Sequence, residues 1–192
     1  NGGIYVTTYW SGLVDETDLC FIDQAPLQDV LGLWVEETDS PNEFYENEFE
    51  YDGQRYPVKD ICDIVKTTGA QKLASYSSDY YEGRAALTKN SFGDGTAYYI
   101  ASGSSEDFYM DFYTDLIKKY DIPRAIPTEL PYGVTVSVRE GLTSDAKTLY
   151  FVQNFNPYEV TVMLDHPYHC LETGETLGEF LEMKGYSCTV LY

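Results

Sequence analysis

Three prolines within nine residues, Pro123, Pro127 and Pro131, constrain this chain more than any other feature. Proline fixes φ and has no N–H, so neither a helix nor a central strand passes through such a run. The segment 123–131 therefore reads as a stiff linker that divides the chain into residues 1–122 and 132–192. Just before it, Glu106 to Tyr120 is the clearest helix. Phe108, Phe112 and Leu116 recur on a 3.6-residue period, with acid early and Lys118 and Lys119 late. Just after it, GVTVSVR (133–139) alternates strictly, with Val134, Val136 and Val138 on one face of a strand. Further strands are predicted at 148–155, 159–164 and 187–192, separated by turns at Thr143-Ser144-Asp145 and Asn156-Pro157. About five short strands without a helix indicate a small antiparallel sandwich or barrel.

The longer part mixes both periods. Ile4 to Tyr9 is β-branched and aromatic and reads as a strand. Asp15, Glu16 and Asp18 follow in a polar stretch that suits the start of a helical turn. Leu27, Val30, Leu31 and Trp34 sit at i, i+3, i+4 and i+7, which predicts a helix over 26–34 weakened by Gly32. Residues 36–52, with a turn at Ser40-Pro41-Asn42, read as loop and short strands. Tyr56 to Val65 is ambiguous between edge strand and helical turn. Ala70 to Tyr76, Gly83 to Lys89 and Gly95 to Ala101 read as strands, the last two joined by a glycine-bearing turn at 90–94. The expected architecture is an α/β domain followed by a small all-β antiparallel domain.

Charge narrows the function classes. Thirty-two acidic against twelve basic residues give a formal net charge of −20. Such a surface repels phosphate backbones and anionic lipid, so nucleic-acid and membrane-surface binding are set aside. No run approaches the ~18 apolar residues that span a bilayer, and no signal peptide is visible. No loop carries the D-x-D-x-D-G spacing of a calcium site. The nineteen tyrosines suit half-buried β surfaces and interfaces, and exposed ones also stack on sugars. Cys20, Cys62, Cys170 and Cys188 form no C-x-x-C pair. They read as small buried hydrophobes in a reducing, cytoplasmic compartment. His166, His169 and Cys170 offer three metal ligands, but Pro167 makes the segment turn-like and no fourth ligand is at hand. Phe92-Gly93-Asp94-Gly95 lacks the Gly-Lys ending of a phosphate loop and reads as a hairpin turn. No cofactor is expected.

The segments GGIYVTTYWSGLVDETDLC (2–20), PLQDVLGLWVEE (26–37) and ALTKNSFGDGTAYYIA (86–101) together resemble one family, the β-galactosidases of glycoside hydrolase family 42. GVTVSVRE (133–140), TLYFVQNF (148–155) and LEMKGYSCTVL (181–191) look like the strands of its small terminal β domain. Gln28 departs from the pattern, where a basic residue is expected. The resemblance implies a parent with an N-terminal (β/α)8 barrel, a flavodoxin-like or glutaminase-like domain used in trimer assembly, and a small β domain. The barrel of such enzymes hydrolyses terminal non-reducing β-D-galactose residues with retention, using two glutamates about 5 Å apart. Neither glutamate lies in the matched segments. By this resemblance the chain starts inside the middle domain, with Gly2-Gly3 opening a late strand of its sheet.

The expectation is thus a non-catalytic portion with no catalytic, cofactor-binding or metal residue. Its partners would be the rest of the parent and neighbouring subunits of a homotrimer, and galactoside would be bound by the parent alone. The segments around Tyr9-Trp10 and Phe44 to Tyr51 are the candidate contacts. Asn42-Glu43 and Asn47-Glu48 reproduce the dipeptide found beside many glycosidase acid/bases, but no barrel strand precedes them. Glu36-Glu37 is adjacent in sequence, so its side chains diverge. Cys20 lacks the tight flanking glycines of a glutaminase nucleophile, and the first domain has no histidine. The alternative is a carbohydrate-binding accessory module, with Tyr and Trp platforms doing the work.

Overall fold

The computed structural model describes residues 2–21, 24–41, 46–141 and 146–192. It divides into two units, residues 1–115 and 116–192. The turn at 143–145, the dipeptide Asn42-Glu43, and Phe44 and Tyr45 lie wholly or partly outside the described residues.

The first unit is built mainly of strands. In chain order it holds β1 (Ile4–Thr8), α1 (Gln28–Leu31), β2 (Leu33–Asp39), β3 (Glu48–Tyr51), β4 (Gln54–Pro57), β5 (Lys59–Thr67), β6 (Gln71–Ser75), β7 (Ala85–Phe92), β8 (Gly95–Ile100), β9 (Ser102–Gly103) and the first ten residues of α2 (Glu106–Lys119). The main sheet runs β1-β8-β7-β5-β2, with β6 on β7 and β9 on β5. Every pairing in it is antiparallel except β1 with β8, which runs parallel from Ile4↔Thr96 to Thr8↔Ile100. β3 and β4 form a separate hairpin.

Successive side chains on β8 serve the two faces of the sheet. Tyr98 meets Phe112 of α2 with ring centroids 5.7 Å apart. Phe108 and Phe112 of α2 are fully buried. Phe108 lies edge-on to Phe49 of β3 at 4.9 Å and to Tyr56 of β4 at 5.3 Å. The hairpin is also tied to the helix by hydrogen bonds. Tyr51 donates its hydroxyl to Asp115 at 3.1 Å, and Tyr56 donates to Asp111 at 2.7 Å. Thus the apolar stripe of α2 packs on aromatic rings, while its acidic edge accepts their hydroxyls.

Several local expectations are corrected. The helix over 26–34 is a single turn, because Gly32 takes φ +62 and closes it. Gly32 then accepts the backbone N–H of Thr68 at 2.8 Å, and Trp34 continues in strand β2. Asp15 starts no helix: its Oδ1 accepts the Thr17 N–H, the Thr17 hydroxyl and the Leu19 N–H, closing a tight turn beside the Val14↔Cys20 bridge. Tyr56 to Val65 is two strands broken at Val58. The turn after β7 is shorter than expected, since Phe92 still pairs with Gly95 across Gly93 at φ +55.

The second unit contains β10 (Val134–Arg139), β11 (Leu149–Asn154), β12 (Val160–Met163), β13 (Tyr168–His169), β14 (Thr176–Leu177), β15 (Phe180–Met183) and β16 (Ser187–Leu191). They pair antiparallel as β10-β11-β16, β12-β15 and β13-β14. The two-residue period is visible in burial. Val160 and Val162 point inward from β12, and Leu181 and Met183 from β15, while Met163 and Phe180 face out. The proline-rich segment takes part in this core, because Ile126 is 1% exposed and Thr128 donates to the Met163 carbonyl at 2.6 Å.

Candidate functional site

Asp63 sits in the middle of β5, in the apolar run Ile61-Cys62-Asp63-Ile64-Val65, and is fully buried. A carboxylate placed there needs donors, since an unpaired buried charge is costly. Three are supplied from three different segments. Thr38 donates its hydroxyl to Oδ1 at 2.7 Å. The Trp10 backbone N–H donates to Oδ2 at 2.9 Å, and the Tyr99 hydroxyl to the same oxygen at 2.5 Å. The Asp63 carbonyl in turn accepts the Tyr76 hydroxyl at 3.1 Å. Burial, then the charge of Asp63, pushes ionisation of the Tyr99 hydroxyl far above the ordinary tyrosine range.

The Trp10 backbone adopts φ +66, a left-handed conformation that a bulky residue holds only under constraint. The bond from its N–H to Asp63 is that constraint. It leaves the Trp10 side chain half exposed, at 49%. All three donors to Asp63 line a cavity of about 340 Å3, whose walls also include Leu13, Gln28 and Trp34. Among the described residues, Gln28 Oε1 is buried and has no hydrogen-bond partner. The cavity is thus mostly apolar, and its wall is fixed by a buried carboxylate. On its rim Glu36 pairs with Arg84.

The remaining candidates fall to structural partners. Asn47 clips two segments together, accepting the Glu48 and Ser78 N–H groups and donating to the Ser78 carbonyl at 3.1 Å. His166 pairs with Asp165 at 2.9 Å, His169 with Thr176 at 3.0 Å, and Cys170 with Glu172 at 3.1 Å. These three take three different partners and do not converge. Cys62 and Cys170 are buried as expected; Cys20 and Cys188 are exposed, and this corrects the reading of all four as core residues. Among the described residues no helix is long and apolar enough to cross a membrane. Asp63 itself escaped notice in the sequence, where the signal was one acid enclosed by Cys62 and Ile64 in a strand-forming run.

Comparison with known proteins matches this geometry to a family. Residues 1–123 match the β-galactosidase trimerisation domain, and residues 133–191 match the β-galactosidase C-terminal domain. The β-galactosidase Pbg of Clostridium perfringens is 38% identical over 204 residues, covering 100% of this chain and 29% of that protein. The structure of a β-galactosidase from Rahnella sp. R3 superposes with TM-score 0.83 at 39% identity, over 99% of this chain and 28% of that one. A β-galactosidase from Bacillus circulans sp. alkalophilus gives TM-score 0.83 at 32% identity, over 99% and 29%. The chain spans under a third of the length of these relatives. It belongs to the family 42 β-galactosidases and matches their trimerisation and C-terminal domains.

Proposed function

We propose that this chain serves assembly within a β-galactosidase, packing subunits into a homotrimer and bracing a catalytic barrel that lies outside it. The parent would hydrolyse terminal non-reducing β-D-galactose residues, in the cytoplasm. Residues 1–122 would form the late part of a flavodoxin-like or glutaminase-like domain, 123–131 the linker, and 132–192 the small β domain.

The observation that carries this reading is the state of β1. It is the one parallel strand among the described pairings of its sheet, and only its β8 side is paired. Parallel strands belong in sheets covered on both faces. Here the strand is apolar and short, and Ile4 and Tyr5 are 36% and 43% exposed. An unprotected edge of this kind seeks another strand. The cavity beside Trp10 supports the same reading, as a receptor for a side chain from the parent or from a neighbouring subunit.

Sedimentation equilibrium of the pure chain is the test. The expected mass is three times 21.8 kDa. A monomer across the whole accessible concentration range would overturn the assembly role. Turnover of a chromogenic β-galactoside by the same sample would overturn the non-catalytic reading.

A further inference from the structure

One end of the second unit gathers four exposed aromatic side chains on three loops. Tyr132 is 80% exposed, Phe155 60%, Tyr158 58% and Tyr186 74%. These loops are locked together. Asn154, 2% exposed, donates from Nδ2 to the carbonyls of Tyr158 and Lys184, each at 2.9 Å. Asn156, 7% exposed, donates to the Tyr132 carbonyl at 2.7 Å, and its own carbonyl accepts the Tyr186 N–H at 2.9 Å. Asn156 N and Nδ2 both donate to Asn154 Oδ1. The Phe155 N–H donates to the Gly133 carbonyl at 2.9 Å. Two buried amides therefore fix the backbone under all four rings.

The rings themselves are left free. Among the described residues, the ring pairs of this unit involve Tyr150, His166, Tyr168, His169 and Tyr192, and none of the four. Among the described residues, the hydroxyls of Tyr132, Tyr158 and Tyr186 have no hydrogen-bond partner. Tyr186 even holds φ +50, a strained conformation for a ring-bearing residue. Solvent-exposed aromatics of this density on a fixed frame mark a binding surface.

We infer that this platform binds a neutral polysaccharide. The apolar C–H face of a sugar ring packs on an aromatic ring, and the free phenolic hydroxyls answer its hydroxyl groups. Tyrosine supplies such amphipathic contact at low entropic cost. Exposed Glu159 and Lys184 flank the rings with one acceptor and one donor. The net charge of −20 disfavours an anionic ligand and leaves a neutral one unhindered. This site lies wholly in the second unit, so it stands or falls independently of trimer assembly.

The test is affinity gel electrophoresis of the 192-residue chain with soluble β-1,4-galactan, β-glucan or xylan cast into the gel. At least one is expected to retard the chain. The double variant Tyr132→Ala, Tyr186→Ala should bind about tenfold more weakly or worse, as for loss of two central aromatic contacts. Phe155→Ala gives a second, independent loss, and a thermal melt of each variant checks that the unit still folds. Free migration in all three gels would overturn the proposal, as would equal retardation of wild type and both folded variants. So would footprinting that finds the four rings protected by the polypeptide of an intact parent enzyme, which would make the occupant protein.

Discussion

The Tyr99 hydroxyl reaches Asp63 Oδ2 at 2.5 Å, joining the parallel pair of the sheet to β5 through a side chain. The same oxygen holds Trp10. Asp63→Ala would orphan three donors at once and open a hole beneath the cavity wall. It is expected to destabilise the first unit by about 3 kcal/mol or more. Urea unfolding followed by tryptophan fluorescence checks this, because Trp10 and Trp34 both lie in that unit. A midpoint unchanged from wild type would refute the role given to Asp63.

Phe108 is the hub of the aromatic layer under α2, touching Phe49, Tyr51, Tyr56 and Phe112. Phe108→Ala should cost about 3–5 kcal/mol, the range for emptying a large buried ring site. Loss of near-ultraviolet circular dichroism at lower urea than wild type is the expected signature.

Gly32→Ala meets two obstacles. The residue sits at φ +62, and a β-carbon there would lie 2.6 Å from Asn90 Cγ. Asn90 cannot swing away freely, because it donates to the Val30 carbonyl at 2.9 Å. The expected penalty is about 2 kcal/mol, read as a shift in the thermal midpoint. Gly53→Ala, also at positive φ but with open space around it, separates the backbone cost from the clash.

Alkali should loosen the hairpin from the helix. Tyr51 and Tyr56 are both pushed up to about 12, first by burial and then by donating to Asp115 and Asp111. An unfolded tyrosine ionises near 10. The folded state therefore holds the neutral form longer, and this contribution is whole below about pH 10 and is lost as pH climbs toward 12. Absorbance at 295 nm should show a late tyrosine class that shrinks in Tyr56→Phe. A titration with all tyrosines ionising together near pH 10 in the folded protein would contradict it.

Thiol reactivity should divide the cysteines evenly. Cys20 and Cys188 are exposed, whereas Cys62 and Cys170 are buried. Burial also pushes the Cys62 thiol up to about 11, so little thiolate forms at neutral pH. Native protein should release two equivalents in Ellman's assay and four after denaturation; four without denaturant would contradict the burial.

The readable parts of the fold were those where period and local chemistry agreed. The α2 stripe and the alternation of β10 are set by their own residues, and each appeared in the structure within a residue or two. Leu27 to Trp34 misled because a helical spacing of apolar residues says nothing about the left-handed backbone at Gly32, which turns the chain into β2. The strands β13 to β15 are two to four residues long and exist through their partners, which a local pattern does not carry. Asp63 is the same case at a single residue. Its meaning depends on Trp10, Thr38 and Tyr99, brought from distant parts of the chain. The aromatic end of the second unit was equally hidden, since Tyr132, Phe155, Tyr158 and Tyr186 come together only once Asn154 and Asn156 are seen to bind their loops.

The order of β1 in the chain has a consequence for how the molecule is made. Ile4 must wait for Thr96 before the β1–β8 pair can form. At about 5–20 residues per second, the ~90 residues between them delay that pairing by roughly 5–20 s. The β7–β8 hairpin, closed over two residues, can snap shut within microseconds of its own release. A nascent chain of this kind passes through a sticky adolescence, and its yield in a cell would depend on how well chaperones guard that interval.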